Sequence, residues 1–417
     1  MREAVRRFRD WRRKYLAHMK KGLGKGMATR GRILAAIAAF AALAGLATCH
    51  MSGVEEQSGA AIAPSIEERV EEAAEELTET ITQPRSPQES WLDDRFYAIG
   101  STFDGFLGIA MVDVDRGAVV HFNGHETFPQ QSVSKLWVAL TAFDQADKGT
   151  LDLTESGTVR MADLTVFHQP LRKRVIAQGS FTTTYADYIR RALTESDNTA
   201  NDMVLKRIGG PDAVRAMLAE KELADIRFGP GERAMQAAIA GLEWDQSYSI
   251  GKTFFEVRKT VPHDLRRTIF DNYVGDPVDG ARPVGAARAL ARLAEGELLS
   301  EGSNARLLTL LGEVKSGPNR LKGGLPAGWS IGHKTGTGQV LDIVPPGAIG
   351  EQAGYNDIGI LTAPDGSRYA VAVMIGRTAR PVPERMELMH EVVAAIAEYH
   401  TLVSGAAATE SGASAEL

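Results

Sequence analysis

The sequence predicts an α/β fold of the α+β kind: an antiparallel five-stranded sheet formed from both chain ends, flanked by helices, with an inserted all-helical lobe. Strand-like apolar runs gather near the two ends of the region between residues 91 and 400. The segment between them, 133–312, is mostly helical in its apolar period. Strands that come from both ends and enclose a helical segment indicate a sheet with a helical lobe packed beside it.

The strand predictions rest on β-favouring runs bounded by turn residues. A turn at Arg116-Gly117 separates the first two strands, and the turn Pro364-Asp365-Gly366-Ser367 joins the last two as a hairpin. The five predicted strands cover residues 106–115, 119–123, 329–336, 356–363 and 368–376.

The helix predictions rest on apolar residues that recur every three to four positions. The predicted helical segments are 135–149, 184–196, 200–210, 283–299 and 384–400. The last of these closes the folded region.

The composition of the two ends of the chain predicts segments for export and tethering rather than parts of the folded core. Residues 1–32 contain 12 Lys and Arg against Glu3 and Asp10, a balance of +10, and the 15 apolar residues 33–47 follow. A basic stretch before a short apolar run is typical of a secretory signal, and an uncleaved membrane anchor is the alternative. We therefore divide the chain into a signal or anchor (1–49), a disordered acidic linker (50–90), a catalytic domain (91–400) and a disordered tail (401–417).

Composition excludes several classes of function. The formal charge of −6 becomes −16 once the +10 of residues 1–32 is removed, and an acidic body argues against nucleic-acid binding. The only cysteine, Cys49, permits no intrachain disulfide. His121 and His125 are close in sequence, but no carboxylate or cysteine completes a zinc set, so we expect no metal and no cofactor.

The first chemical signal is Ser-Val-Ser-Lys, in which Ser132 precedes Lys135 by one helical turn. Spacing i, i+3 places the hydroxyl and the amine on one helical face, within reach of each other. Taken alone, the pair has two interpretations: a capping serine followed by a solvated lysine, or a nucleophile with its activating base.

Two further short motifs bear on that choice. Ser196-Asp197-Asn198 stands between two helical patterns, and Lys334-Thr335-Gly336 ends a predicted strand. Each alone is an ordinary helix cap or strand end. The ordered trio, with Ser-Val-Ser-Lys beginning at Ser132, Ser-Asp-Asn at Ser196 and Lys-Thr-Gly at Lys334, is more informative than any one motif.

This trio resembles the signature of penicillin-recognising serine hydrolases, and especially of class A β-lactamases. The resemblance continues in Asn201 after Ser-Asp-Asn-Thr-Ala, in Gly275-Asp276-Pro277 with Asp279, and in the segments 287–300 and 325–329. It covers residues 95–400 and implies a hydrolase that takes a small-molecule β-lactam as its substrate.

The resemblance implies a role for each matching residue. Ser132 would be the nucleophile, Lys135 would take its proton directly or through Ser196, and Lys334 would add positive charge. The backbone N–H groups of Ser132 and Thr337 would stabilise the developing oxyanion. Asn198 would orient the substrate's amide, Thr335 and the adjoining Gly336 would lie at its carboxylate, and Asp197 would brace the junction.

Hydrolytic release needs a carboxylate that activates water, and here the sequence departs from the family pattern. The usual tryptophan-glutamate-proline string is absent. Glu232 and Gln236, at i, i+4, are the first candidates for holding a water, with Gln in place of the customary Asn. Glu243 is the second candidate base. The third possibility is that both glutamates are solvated surface acids and that the protein has no base for this step. Residues 237–272 form an insert relative to the family.

For each of two further residues, the sequence permits both a functional and a structural interpretation. Phe167 falls where class A enzymes carry an aromatic at the edge of the cleft, and a core phenylalanine is the other reading. Arg385 could bind a substrate carboxylate, but a solvated helix arginine is the preferred interpretation.

The hypothesis is therefore an exported, periplasmic serine β-lactamase that forms an acyl-enzyme on Ser132 and releases it with the help of Glu232. We expect a monomer, with a membrane anchor or lipidation at Cys49 as an alternative to a cleaved signal. The rival functions are a penicillin-binding D-alanyl-D-alanine carboxypeptidase and a sensor that keeps its β-lactam adduct.

Overall fold

The centre of the fold is an antiparallel sheet. A computed structural model describes residues 85–342, 344 and 347–414, with side chains described as far as residue 406. The strands are β1 (Phe106–Asp113), β2 (Val119–Phe122), β3 (Phe128–Pro129), β4 (Ser156–Arg160), β5 (Ser180–Thr184), β6 (Gly280–Ala281), β7 (Ser330–Thr337), β8 (Val340–Leu341), β9 (Glu351–Thr362) and β10 (Arg368–Thr378). All ladders among them are antiparallel.

Helices surround this sheet and fill the segment between its strands. They are α1 (Pro87–Thr102), α2 (Lys135–Asp147), α3 (Arg172–Gln178), α4 (Tyr185–Thr194), α5 (Asn198–Arg207), α6 (Pro211–Glu220), α7 (Glu232–Ile239), α8 (Thr253–Arg258), α9 (His263–Gly275), α10 (Pro283–Ala294), α11 (Glu301–Gly312) and α12 (Val382–Ser414).

The sheet confirms the predicted five-stranded antiparallel architecture built from both chain ends. Its order is β2-β1-β10-β9-β7, and the short β8 pairs with β9 off this path. In the register, Ala110 on β1 faces Ala372 on β10, and Lys334 on β7 faces Ile358 on β9. The C-terminal strands thus occupy the middle and one edge of the sheet, and the edge strand β7 carries Lys334.

Both faces of the sheet are buried, which explains why its strands read as continuous apolar runs. Along β1, Ile109 and Met111 pack with α1 and α12, whereas Ala110 and Val112 belong to the core that includes α10 and α2. This alternation is the two-residue period of a strand. Helices cover each side, and the polar groups of the site collect at one edge.

The inserted lobe is not all-helical, contrary to the sequence prediction. Strands β4 and β5 form a separate two-stranded sheet within it. The β-branched residues of β5 favour this conformation, and the hydroxyls of Thr158 and Thr182 pair across it at 2.9 Å.

The folded region is longer at each end than predicted. Helix α1 begins at Pro87, inside the segment assigned to the linker, because Ser86 accepts a hydrogen bond from the Glu89 N–H and Pro87 is the first helical residue. Helix α12 continues to Ser414, so the prediction of a disordered tail from residue 401 is wrong for the described part. Val403 lies in this part of the helix and is buried against the core, and this packing stabilises the helix beyond residue 400.

The predictions for the signal or anchor, for Cys49 and for most of the acidic linker concern residues 1–84, outside the described residues. Among the helices that the structure describes, none is both long enough and apolar enough to cross a bilayer.

Candidate active site

Ser132 lies in a short 3₁₀ helix, Gln131–Ser134, immediately before α2. The preceding Gln131 has a φ of 55°, a left-handed conformation that is uncommon for a residue with a side chain. Its N–H donates to Asp279 Oδ2 at 2.7 Å, and its Nε2 donates to the Tyr273 hydroxyl at 2.5 Å. These bonds hold the backbone turn that precedes Ser132.

Lys135 is fully buried and contacts two groups of the site. Its Nζ donates to Ser132 Oγ at 2.5 Å and to Glu232 Oε1 at 2.7 Å. The i, i+3 contact predicted from the sequence is therefore present. The alternative of a capping serine and a solvated lysine is wrong, because Ser132 makes no cap bond and Lys135 has no exposed surface.

The Ser-Asp-Asn motif forms the junction between α4 and α5. Asp197 caps α5 by accepting from the Ala200 N–H at 2.9 Å, and its other oxygen accepts from the Leu171 N–H at 2.7 Å. The bracing role expected of Asp197 is confirmed by these contacts. Ser196, with a φ of 55°, is turned toward β7, and Asn198 donates to the Val166 carbonyl at 2.9 Å.

Lys334 on β7 approaches the same place from the sheet. Its Nζ donates to Ser196 Oγ at 3.1 Å and to the Thr335 carbonyl at 2.9 Å. Burial, assisted by the charges of Lys135 and Arg320, holds the pKa of Lys334 well below its usual range. The structure thus links the second and third motifs through one hydrogen bond.

Gly336 permits β7 to lie against the turn that carries Ser132. A Cβ at this position would stand 2.2 Å from the Gln130 carbonyl oxygen and 3.3 Å from a Val133 methyl. No side chain fits between the strand and the turn. Gly336 therefore acts through backbone proximity, which brings Thr337 and Ser132 to one cleft.

Glu232 begins α7 and is buried, with only 4% of its surface exposed. Its second oxygen accepts from Gln236 Nε2 at 3.4 Å, so the predicted i, i+4 pair is formed. Glu243 is exposed and does not line the cleft. Of the two candidate bases, only Glu232 contacts Lys135.

One cleft of about 460 Å³ brings most of the predicted residues together. Phe167 contributes to its wall and packs edge-to-face on Phe254, with ring centroids 5.0 Å apart. Lys135 and Lys334 lie buried next to this cleft. The predicted residues that line it directly are Ser132, Phe167, Ser196, Asn198, Glu232, Gln236, Thr335 and Thr337.

The sequence reasoning missed several cleft residues. Arg320 donates to the Gly336 carbonyl at 2.9 Å and to Thr337 Oγ1 at 2.5 Å, and Ser316 pairs with Thr335 Oγ1 at 2.7 Å. Both residues lie in the loop between α11 and β7. A single serine or arginine in a loop forms no sequence motif that would identify it as a cleft residue. Arg258 and Gln339 also line the cleft, from the insert and from the residues after β7.

The preferred interpretation of Arg385 as a solvated helix residue is wrong. Its side chain is buried, donates to the Arg380 carbonyl and to Gln352, and lies 5.3 Å from the Tyr355 ring centroid. It does not line the cleft. The helix start packs against the sheet, where an arginine can satisfy its donors with carbonyl groups and an aromatic face.

Within the described part of the chain, no group of three histidine, cysteine or acidic side chains could hold a metal ion. His121 and His125 pack edge-to-face at 4.6 Å between ring centroids.

The fold and the site together define an α+β protein whose cleft holds a serine beside a buried lysine–glutamate pair. Residues 92–400 match the β-lactamase enzyme family, and the chain belongs to that family as a hydrolase of the class A type. The chain is 29% identical to the extended-spectrum β-lactamase PER-1 of Pseudomonas aeruginosa over 296 residues, which span 70% of this chain and 82% of PER-1. It is 26% identical to β-lactamase VEB-1 of the same organism over 292 residues, 70% of this chain and 83% of VEB-1.

Solved structures agree with this assignment. A β-lactamase from Chitinophaga pinensis superimposes with a TM-score of 0.59 at 25% identity, over 73% of this chain and 97% of that one. The TLA-3 extended-spectrum β-lactamase, at 22% identity and a TM-score of 0.60, covers 74% of this chain and 98% of its own and supports the fold alone.

Proposed function

We propose that the protein inactivates β-lactam antibiotics by hydrolysing the lactam amide through an acyl-enzyme on Ser132, and that Glu232 assists the release of the acyl group by water. The observation that carries this proposal is the position of Lys135, whose Nζ contacts both Ser132 Oγ, at 2.5 Å, and Glu232, at 2.7 Å. One buried pair can therefore serve both half-reactions.

In the acylation step, Ser132 Oγ attacks the lactam carbonyl carbon. As Lys135 passes a proton to the Glu232 carboxylate, its amine accepts the proton of Ser132, so Lys135 stays charged and Glu232 becomes neutral. The C–N bond breaks and the lactam nitrogen takes up a proton. Ser196 faces the same cleft and is the donor we assign to that nitrogen, with Lys334 behind it at 3.1 Å.

Before the deacylation step, Glu232 returns its proton through Lys135 to Ser196, which had given one to the lactam nitrogen, and Glu232 can then act as a base toward water. The water oxygen attacks the ester carbonyl carbon while one of its protons goes to Glu232. The bond to Ser132 Oγ then breaks, and Ser132 takes a proton from Lys135, which in turn takes the proton that Glu232 received from water. The product is a ring-opened carboxylic acid, which the free enzyme releases.

The rest of the cleft fits an anionic substrate with an amide side chain. Ser316, Thr335 and Arg320 line one side of it and supply two hydroxyls and a guanidinium for a carboxylate. Asn198 and Phe167 line another part, where an amide and an apolar group can be received. The backbone N–H groups of Ser132 and Thr337 remain the donors that we assign to the oxyanion.

The test compares three variants in one assay of turnover and intact mass. Ser132→Ala should form no covalent adduct. Glu232→Ala should form an adduct more slowly, because Glu232 takes the proton released in acylation, and that adduct should persist. Glu243→Ala is the matched control, because this glutamate is exposed and outside the cleft, and it should turn over like the unmodified protein. A folded Glu232→Ala protein with unchanged turnover would contradict the assignment of the base.

A further inference from the structure

The side-chain amide of Gln236 lies next to the Glu232 carboxylate. It could present either its nitrogen or its oxygen to that carboxylate. Its nitrogen is a hydrogen-bond donor and its oxygen an acceptor, and the choice changes how the carboxylate and a water are held. In this structure Nε2 of Gln236 faces Glu232 Oε2 at 3.4 Å. The surroundings of Gln236 explain why that orientation is fixed.

On one side, Gln236 is oriented by an arginine of the insert. Arg258 Nη1 donates to Gln339 Oε1 at 3.2 Å. Because a guanidinium only donates, Gln339 must present its oxygen to Arg258 and its nitrogen elsewhere. Gln339 Nε2 donates to Gln236 Oε1 at 3.0 Å and to the Gln236 main-chain carbonyl at 2.8 Å.

On the other side, Gln236 is oriented by an aspartate. Gln236 Nε2 donates to Gln131 Oε1 at 2.8 Å, and Gln131 Nε2 donates to the Tyr273 hydroxyl at 2.5 Å. The Tyr273 hydroxyl then donates to Asp279 Oδ1 at 3.0 Å. The bonds therefore run in one direction, from a guanidinium that only donates to a carboxylate that only accepts when ionised.

We propose that this chain of side chains, the glutamine relay, holds Gln236 as a donor toward Glu232 and makes Arg258 a positioning residue for deacylation. The relay consists of Arg258, Gln339, Gln236, Gln131, Tyr273 and Asp279. This inference rests on the proposed function, since it assigns the insert a part in the step that Glu232 assists. With its oxygen engaged by Gln339, Gln236 steadies the carboxylate and leaves Glu232 to accept the proton of water.

Burial makes the direction of the relay costly to reverse. All six members are buried, with between 1% and 8% of their surface exposed. Water cannot readily replace a lost partner, so a reversed amide would leave a donor facing Arg258 or an acceptor facing another acceptor. Loss of Arg258 removes the constraint at one end and frees Gln339 and Gln236 to turn.

The chain offers a matched control for Arg258. Arg258 and Arg266 both bind Asp342, at 2.6 Å and 2.5 Å, and both are buried, but only Arg258 donates to Gln339. We expect Arg258→Met to lengthen the lifetime of the acyl adduct about tenfold, the scale of one hydrogen bond lost in the transition state, with the rate of adduct formation unchanged. Arg266→Met should leave both rates unchanged.

The measurement is intact-mass quench-flow with a β-lactam on the full-length protein. Equal adduct lifetimes in the two arginine variants, or no change in Arg258→Met, would overturn the relay. If Arg258→Met does not fold, Gln339→Met breaks the next link at nearly the same length, and it should lengthen the lifetime in the same way.

A second measurement separates the relay from the proposed function. A neutron crystal structure of the free protein reveals amide deuterium atoms, which ordinary X-ray resolution does not. The relay predicts that Gln236 Nε2 faces Glu232, and an oxygen there would overturn it whatever the turnover. An unmodified protein that forms no adduct, or never releases one, would instead contradict the proposed function.

Discussion

Lys135 is the residue on which the site depends most. Its ammonium group is fully buried, and Glu232 supplies the opposite charge. Breaking a buried ion pair by removing one partner costs about 3–5 kcal/mol, because the remaining charge is left uncompensated. Glu232 thus stabilises the fold around Lys135 in addition to the role in release that we propose for it. Assays on Glu232 variants therefore require a check that the sample is folded.

Asp202 on α5 permits a prediction about pH. Burial, with the nearby Glu232 carboxylate, raises the pKa of Asp202 from 3.8 to about 7, and its Oδ1 has no hydrogen-bond partner. The folded state therefore holds the proton more tightly than the unfolded state, and the contribution of this group to stability falls as pH rises from about 4 to about 7. The difference in pKa sets an upper limit of about 4 kcal/mol on that loss.

Asp202→Asn mimics the protonated form and should raise the free energy of unfolding more at pH 8 than at pH 5. Urea unfolding at the two pH values measures this difference. Asp94→Asn, on the exposed side of α1, serves as the control and should show no such difference. An equal effect of Asp202→Asn at both pH values would show that Asp202 is ionised throughout.

Individual site residues were predictable where the signal was local. Ser132 and Lys135 are one helical turn apart, and Glu232 and Gln236 are also one turn apart, so a helix alone brings each pair together. Arg320 and Arg258 have no such neighbour, because their cleft contacts come from distant segments. For Arg385 the sequence could not reveal that the start of α12 lies against Tyr355.

At the scale of elements, the insert forms part of the cleft wall. Helix α8 carries Phe255 and Arg258, which line the cleft, and Phe254, which packs with Tyr248 and Phe167. Aromatic contacts of this kind attach the insert to the loop that precedes α3, which contains Phe167. The insert is therefore packed around a small hydrophobic core and is not an unpacked loop.

Phe254→Ala should weaken that attachment. The side chain of Phe254 is buried, and truncation of a buried phenylalanine costs about 3–5 kcal/mol. We expect faster amide hydrogen exchange across residues 246–258 by mass spectrometry. Phe255→Ala, whose side chain is 41% exposed, is the control and should change exchange much less. Equal exchange in both variants would contradict the proposed core of the insert.

Elements were predictable where the apolar period was strong, and missed where packing decides. The five strands and the main helices follow their periods closely. Helix α1 was not predicted, because it has few apolar residues, among them Leu92 and Phe96, and a broad polar face. The β4–β5 pair was not predicted because the segment has no continuous apolar run. It is stabilised by pairing between residues that are 20 to 28 positions apart in the sequence, from Arg160–Ser180 to Ser156–Thr184.

At the scale of the whole molecule, the site lies where the sheet meets the helical lobe. The sheet supplies Lys334 on β7, the lobe supplies Ser196 at the junction between α4 and α5, and α2 carries Lys135 between them. Since β7 comes from the C-terminal part of the chain and Ser132 from near its N-terminal part, the site forms only when the sheet is complete. Function and global folding are thus coupled.

The most direct measurement mixes the purified protein with a chromogenic cephalosporin and follows absorbance and intact mass together. Many turnovers per protein molecule with little accumulated adduct are expected, because the proposed mechanism uses Lys135 and Glu232 in both acylation and release. A single stoichiometric burst with a stable adduct on Ser132 would contradict hydrolytic release and would indicate a penicillin-binding or sensing protein instead.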